Sequence, residues 1–260
     1  MNYLTLIFSC FVLFSLSLKL SAQSNPNFDV LNYHLAINIS DSSDLIQGVE
    51  DVEFIYKKES KFFQLNFHEK KDQYGMTVNK LLVNGQEIDF IHAQKILFVS
   101  TKAMYIGDTN WIQIRYKGIP KTGLVIGKNK FQNRTFFGDN WPDRAQHWFA
   151  CIDHPSDKAT VSFQIKAPAQ YKIVANGLLK SETLKENNMK ITMYETKIPL
   201  PTKVMVFGAA NFKVQQVENK LGIPISSWVY PENEKAGFND FSQAKDILKF
   251  YIDLFGAYPF

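Results

Sequence analysis

Apolar and polar side chains alternate along most of this chain. The runs YHLAINIS from Tyr33, VEDVEFIY from Val49 and NWIQIRY from Asn110 to Tyr116 place apolar residues two apart, which is the period of a strand with one buried face. In LLVNGQEIDF, Asn84-Gly85 falls between two such runs. Both residues tolerate positive φ, so the pair predicts a tight hairpin. YKIVANGLLKSE predicts the same device at Asn176-Gly177. Later runs, KITMYETKI, KVMVFGAANFKVQQV and IPISSWVYP, extend the β character to about Pro231.

The period then changes. Phe241, Ala244, Ile247, Leu248, Tyr251 and Leu254 recur at helical spacing, with Asn239 or Asp240 placed to cap the start and Gly256 to end the element. A helix this late in the chain has little helical material to pack on. Its apolar face is therefore expected against the β region or against something outside the chain. The fold class read from these periods is mainly β with a C-terminal helix.

Composition sharpens the picture in two respects. With 45% hydrophobic residues in 260 positions the chain can bury a real core, which excludes disorder and a disulfide-stapled miniprotein. A net charge of +4, from 29 basic and 25 acidic residues that alternate along the chain, forms no basic block, so no nucleic-acid partner is expected. The apolar run from Tyr3 to Leu18, followed by small residues up to Ala22, reads as a secretory signal peptide over residues 1–22. It is short for a bilayer crossing, which takes about 20 apolar residues, so no stable membrane span is expected, with an uncleaved anchor as the alternative. Export to a periplasm or the exterior follows. Residues 23–231 then form a β domain and residues 232–260 the start of a second unit. Cys10 lies in the signal run, which leaves Cys151 alone in the mature chain without an intrachain disulfide partner.

The chemistry-bearing residues crowd into NWPDRAQHWFACIDHPSDKAT, residues 140–160. Asp139, Asp143, His147, Cys151, Asp153, His154 and Asp157 are metal-ligand types, but Pro142 and Pro155 break any helical register that would aim them at one ion. A turn-rich connection, in which Asp side chains accept backbone N–H groups and Arg144 or Lys158 neutralises a carboxylate, accounts for them without a metal. Cys151 sits among Trp148, Phe149, Ala150 and Ile152, an apolar setting that favours an inert thiol over a nucleophile. HEKKD, from His68 to Asp72, lacks the second histidine of the H-E-x-x-H zinc motif and reads as the polar end of a strand. His34 and His92 read as structural histidines, and Asn38 and Asn133 head glycosylation sequons. No catalytic residue set and no metal site is complete.

The stretch WPDRAQHWFACIDHPSDKATVSFQIKAPAQYKIVANG, from Trp141 to Gly177, resembles the N-terminal domain of the M1 (gluzincin) zinc aminopeptidases, with their W-P-D-x-A and C-x-D-x-P-x-x-K-A-T phrases and an A-N-G turn. TKVMVFGAANF looks like that domain's last strand pair, and FYIDLFGAYPF looks like the phrase that opens the catalytic domain. The resemblance implies a saddle-shaped β sandwich of antiparallel sheets that covers the cleft of a following α/β, thermolysin-like domain. That domain carries G-x-M-E-N and H-E-x-x-H and would bring the zinc of the complete enzyme. None of these motifs lies in this chain up to Phe260, so on its own it is expected to be inactive and to hold no cofactor. The resemblance also implies that the loop at Asp139, Asn140 and Trp141 meets the free N-terminus of peptide substrates, with Asp139 the favoured partner of the ammonium. Ala150 stands where relatives often have Pro. Two other classes compete: an exported non-catalytic β-sandwich module that binds peptides or a protein, and a remnant whose helix face at Ile247, Leu248 and Tyr251 makes it prone to aggregate.

Overall fold

The structure, a computed structural model, describes residues 27–217 and 221–259. The signal peptide expected over residues 1–22, with Cys10, lies outside the described residues. Strands dominate, as the alternation predicts. The largest sheet has nine strands, in the order Leu178–Lys185, Met189–Glu195, Lys158–Pro168, Phe28–Asn38, Ile46–Tyr56, Thr109–Ile119, Gly75–Val83 and Gln86–Glu87, with Leu200–Pro201 added beside Lys158 and Ala159. A four-stranded sheet (Lys172–Ala175, Phe207–Ala210, Arg134–Asp139, Gly123–Lys128) and a three-stranded sheet (Phe62–Asn66, Ile96–Ser100, Phe90–Ala93) accompany it. Among the described strands, pairing is antiparallel except at one place. Phe28–Asn38 runs parallel to Lys158–Pro168, with Leu35 opposite Phe163 and Ile37 opposite Ile165.

One apolar core joins the three sheets. On the first strand Val30, Tyr33, Leu35 and Ile37 are buried, and between Val30 and Asn32 a bulge resets the alternation. Phe28 meets Phe63 at 4.3 Å between ring centroids and so ties the large sheet to the three-stranded one. Phe163 meets Phe207 at 6.3 Å and ties it to the four-stranded one. Each such ring, fully withdrawn from water, stabilises the fold by roughly 1.5–3 kcal/mol before entropy is counted. Shared burial of this kind lets three sheets of different size behave as one unit.

Of the two Asn-Gly hairpins expected, one forms. Asn84 and Gly85 take φ of 48° and 81°, and Leu82 and Val83 pair with Glu87 and Gln86. Asn176-Gly177 instead carries the chain from the four-stranded sheet to the large one, because the strands on its two sides pair with different neighbours. Its glycine has φ 91°, and a Cβ there would lie 2.2 Å from the Glu195 carbonyl oxygen. The Asn176 carboxamide accepts the Val206 N–H at 2.7 Å. The geometry that suits a hairpin also suits a sharp exit, and sequence alone does not separate the two.

The C-terminal helix also departs from expectation. Among the described residues this region forms two α-helices, Glu234–Phe241 and Ala244–Phe255, and neither Asn239 nor Asp240 caps a start. The first helix begins at Glu234, and within it Gly237 comes so close to the strand Ser226–Val229 that a Cβ would stand 2.6 Å from Val229 Cγ1. Gly256 ends the second helix at φ 92°, as read from the sequence. Ile247, Tyr251 and Leu254 remain 53%, 53% and 58% exposed, so this face does not pack on the β region among the described residues.

Candidate functional site

The strand Arg134–Asp139 pairs with Gly123–Lys128 and ends with Asp139 opposite Gly123. Gly123 has φ 78°, and a Cβ would fall 2.1 Å from the Arg144 carbonyl oxygen. Only glycine lets the segment after Asp139 fold back over the strand end. The Arg144 N–H closes this turn on the Asn140 carbonyl at 2.8 Å, and a 3-10 turn follows at Ala145–His147.

The three residues expected to meet a substrate are brought to one loop but differ in kind. Asp139 is about half exposed, and its Oδ2 accepts from Arg144 Nη1 at 2.6 Å. A cation arriving at Asp139 would compete with that guanidinium for the oxygen. Trp141 is 61% exposed, follows Asn140 into a cis bond with Pro142, and carries Lys203 Nζ at 4.3 Å over its ring. Asn140 is buried. Its Nδ2 donates to the carbonyls of Thr202 and Met205 at 3.0 and 2.8 Å, and its Oδ1 accepts the Trp148 indole N–H at 2.8 Å. A carboxamide with its donors and acceptor engaged inside the protein fixes the loop, while its two neighbours face solvent.

The segment behind the loop is scaffolding built on buried polar bonds. Trp148, Phe149, Ala150 and Cys151 are buried, with Trp148 edge-on to Phe149 and Phe207. Cys151 exchanges backbone hydrogen bonds with Asn66 at 2.7 and 3.1 Å. Asp153 accepts the Thr202 hydroxyl at 2.8 Å and the Gln146 N–H at 3.3 Å. Ile152 donates its N–H to the Tyr33 hydroxyl at 3.0 Å. Burial, then the nearby Asp153 and Glu50 carboxylates, push the Cys151 thiol well above its ordinary range, in keeping with the inert thiol read from its neighbours.

Two features escaped the sequence reading. Glu50, on the strand Ile46–Tyr56, is fully buried under this segment and accepts the Ala150 N–H at 2.9 Å. Burial raises its carboxyl well above the usual range. The alternation of VEDVEFIY hinted at it, since Glu50 shares a face with Val52 and Phe54. The other is the approach of His68 to His147, whose ring centroids are 3.7 Å apart. HEKKD pointed to His68, but nothing local could bring in a partner from a segment so distant in the chain.

The candidate ligands Asp139, Asp143, His147, Cys151, Asp153, His154 and Asp157 do not converge. Among the described residues no three His, Cys, Asp or Glu side chains could hold one metal ion. Zinc therefore has no fitting donor set there, and no hydrolytic step can be derived from these residues. Among the same residues no helix is long and apolar enough to cross a membrane.

Comparison with known proteins bears on this site. The model of the peptidase M1 N-terminal domain matches residues 29–204. Glutamyl aminopeptidase of Bos taurus is 27% identical over 119 residues, which is 45% of this chain and 12% of that protein. Probable aminopeptidase 2 of Sulfurisphaera tokodaii is 22% identical over 207 residues, 78% of this chain and 26% of that protein. The chain thus spans a minor part of the length of these curated relatives. The crystal structure of an M1 zinc metallopeptidase from Deinococcus radiodurans superposes with a TM-score of 0.70 at 20% identity, covering 90% of this chain and 54% of that one.

Proposed function

This chain belongs to the peptidase M1 N-terminal domain family, and from that membership we propose that it forms the cleft-covering wall of an exported zinc aminopeptidase that removes N-terminal residues from peptides. The zinc and the residues that activate water belong, in this reading, to a thermolysin-like catalytic domain outside the described residues. The observation that supports it best is the loop at Asp139 to Trp141. A carboxylate and an aromatic ring stand in solvent on either side of a buried asparagine that holds them still. Preorganised groups of this kind lose little entropy on meeting a ligand. Asp139 would take the peptide ammonium in exchange for Arg144, and Trp141 would cover the first side chain. Asn140 acts as a positioning residue.

A domain exchange tests this reading. Residues 27–231 replace the equivalent domain of the Deinococcus radiodurans M1 zinc metallopeptidase, and hydrolysis of an aminoacyl reporter is followed. The chimera is expected to be active, and Asp139→Asn to lower kcat/KM by about tenfold, the scale of one charge-assisted contact. The 260-residue chain alone is expected to leave the reporter intact with zinc present. Chelator-sensitive cleavage by the isolated chain would overturn the assignment. Export is checked by sequencing the N-terminus of the protein recovered from the host's medium or periplasm, where cleavage after Ala22 is expected.

A further inference from the structure

A cavity of about 830 Å³, lined by none of Asp139, Asn140 and Trp141, takes no part in the function proposed above. His68, His147, Lys71, Lys95, Lys121 and Thr122 line it, together with Glu69, Asp72 and the turn that ends at Gly75. Backbone bonds hold its walls in place. His68 donates its N–H to the Gln146 carbonyl at 2.9 Å, next to His147, and Phe67 donates to the Lys95 carbonyl at 2.9 Å. Gln94 and Lys95 turn the chain at φ 57° and 64°. The Glu69 carboxylate is already engaged, accepting the Lys95 N–H at 2.7 Å.

The imidazoles of His68 and His147 lie 3.7 Å apart at an interplanar angle of 35°. Among the described residues no third His, Cys, Asp or Glu joins these two rings to make a metal-ligand group. They can, however, present N–H groups side by side. The buried Nδ1 of His147 has no hydrogen-bond partner among the described residues. Lysine ammonium groups at the same wall repel a cation and attract an anion. We propose that His68, His147, Lys95 and Lys121 form a binding site for a phosphate-class oxyanion, either free or as the phosphoryl group of a larger molecule. Three lysines, Lys71, Lys95 and Lys121, face Glu69 and Asp72 in the lining, with Asp143 acting on both rings; Glu69 is already engaged by the Lys95 N–H, and the lysine charges that gather on an anion favour a dianion over a single carboxylate. The site is independent of the peptidase reading.

Both imidazoles are neutral at pH 7 in the free protein. Burial, then His68, Lys95 and Lys121, lower His147 to about 4, against an opposing pull from Asp143. Burial and Lys95 lower His68, with Lys121 acting the same way and Glu69 and Asp143 opposing. A bound dianion favours the protonated rings, so binding takes up protons and strengthens as pH falls.

Sulfate stays a dianion across the working range and isolates the protein's own protonation. The full chain is titrated with sulfate at constant ionic strength set by chloride, while the imidazole nitrogens of His68 and His147 are followed by NMR. Saturable shifts are expected at both rings, with affinity rising about tenfold from pH 8 to pH 5. The double variant Lys95→Ala, Lys121→Ala should weaken binding at least about tenfold, while Lys180→Ala leaves it unchanged. His147→Gln, which keeps a neutral polar group, should retain binding at pH 8 and lose much of its pH dependence. The last variant keeps the test alive if the double one does not fold. Equal affinity for inorganic phosphate and O-phosphoserine identifies the free ion, and tighter binding of O-phosphoserine identifies a phosphorylated molecule. A linear response to sulfate, or one in which Lys180→Ala loses as much as the double variant, overturns the site.

Discussion

The Trp148 indole donates its N–H to the Asn140 carboxamide oxygen at 2.8 Å, with both side chains buried. That bond, with the two that Asn140 makes to the carbonyls of Thr202 and Met205, connects the exposed loop to the interior of the fold. Asn140→Ala leaves a buried indole N–H and two carbonyls without their partner, so it should cost about 3 kcal/mol or more in urea unfolding at neutral pH. Trp141→Ala, at an exposed position, should cost no more than about 1 kcal/mol, the scale of its contact with Lys203. Equal costs for the two would mean that Asn140 does not pin the loop.

Glu50 sets a pH dependence of stability. Its folded-state pKa is raised by burial, while the unfolded chain keeps an ordinary glutamate near 4.5. The contribution is complete below that unfolded value, where both states are protonated, and is lost as pH rises through the folded value. Native Glu50 holds its proton longer than the unfolded chain does, so stability falls with rising pH across that window. Glu50→Gln can still accept the Ala150 N–H and cannot ionise. Its urea midpoint should decline less steeply than that of the native protein above pH 5, and matching slopes would clear Glu50 of the effect.

Gly177 and Gly85 separate backbone strain from steric clash. Both have positive φ, at 91° and 81°, but a Cβ at Gly85 meets nothing within 4 Å whereas one at Gly177 meets the Glu195 backbone at 2.2 Å. Gly85→Ala should cost about 1 kcal/mol, the conformational term alone. Gly177→Ala adds displacement of a strand backbone and should cost at least about 3 kcal/mol. Thermal melts of the two variants side by side decide it.

The helix Ala244–Phe255 presents Ile247, Phe250, Tyr251 and Leu254 to solvent. An apolar stripe of this size drives association. Sedimentation velocity should find the 260-residue chain self-associating as its concentration rises, and the triple change Ile247→Glu, Tyr251→Glu, Leu254→Glu should abolish that trend. Identical behaviour of both proteins would show that the stripe is not adhesive.

Much of the architecture was legible because it is local. Alternation found the strands around Tyr33, Val49 and Asn110, since a strand with one buried face repeats every second residue wherever it sits. Asn84-Gly85 found its hairpin because the turn and both pairing strands lie within a few residues. The W-P-D to A-N-G stretch identified the family, and the apolar neighbours of Cys151 already marked an inert thiol.

What distant segments do to one another was decided only in three dimensions. Asn176-Gly177 has the same letters as the first turn, yet its strands pair with Phe207–Ala210 and Met189–Glu195 instead of with each other. The parallel joining of Phe28–Asn38 to Lys158–Pro168 leaves no local mark, because side-chain period is the same in parallel and antiparallel strands. Asn140 read as a candidate ligand group until folding supplied Trp148, Thr202 and Met205 to use up its hydrogen bonds. His68 and His147 became a pair only when the segment after the strand Phe62–Asn66 met the 3-10 turn Ala145–His147. Sequence dictates which faces must leave water, since that follows from the nearest few residues; which polar groups are then spent on one another, and which stay open to a ligand, depends on contacts across the whole chain.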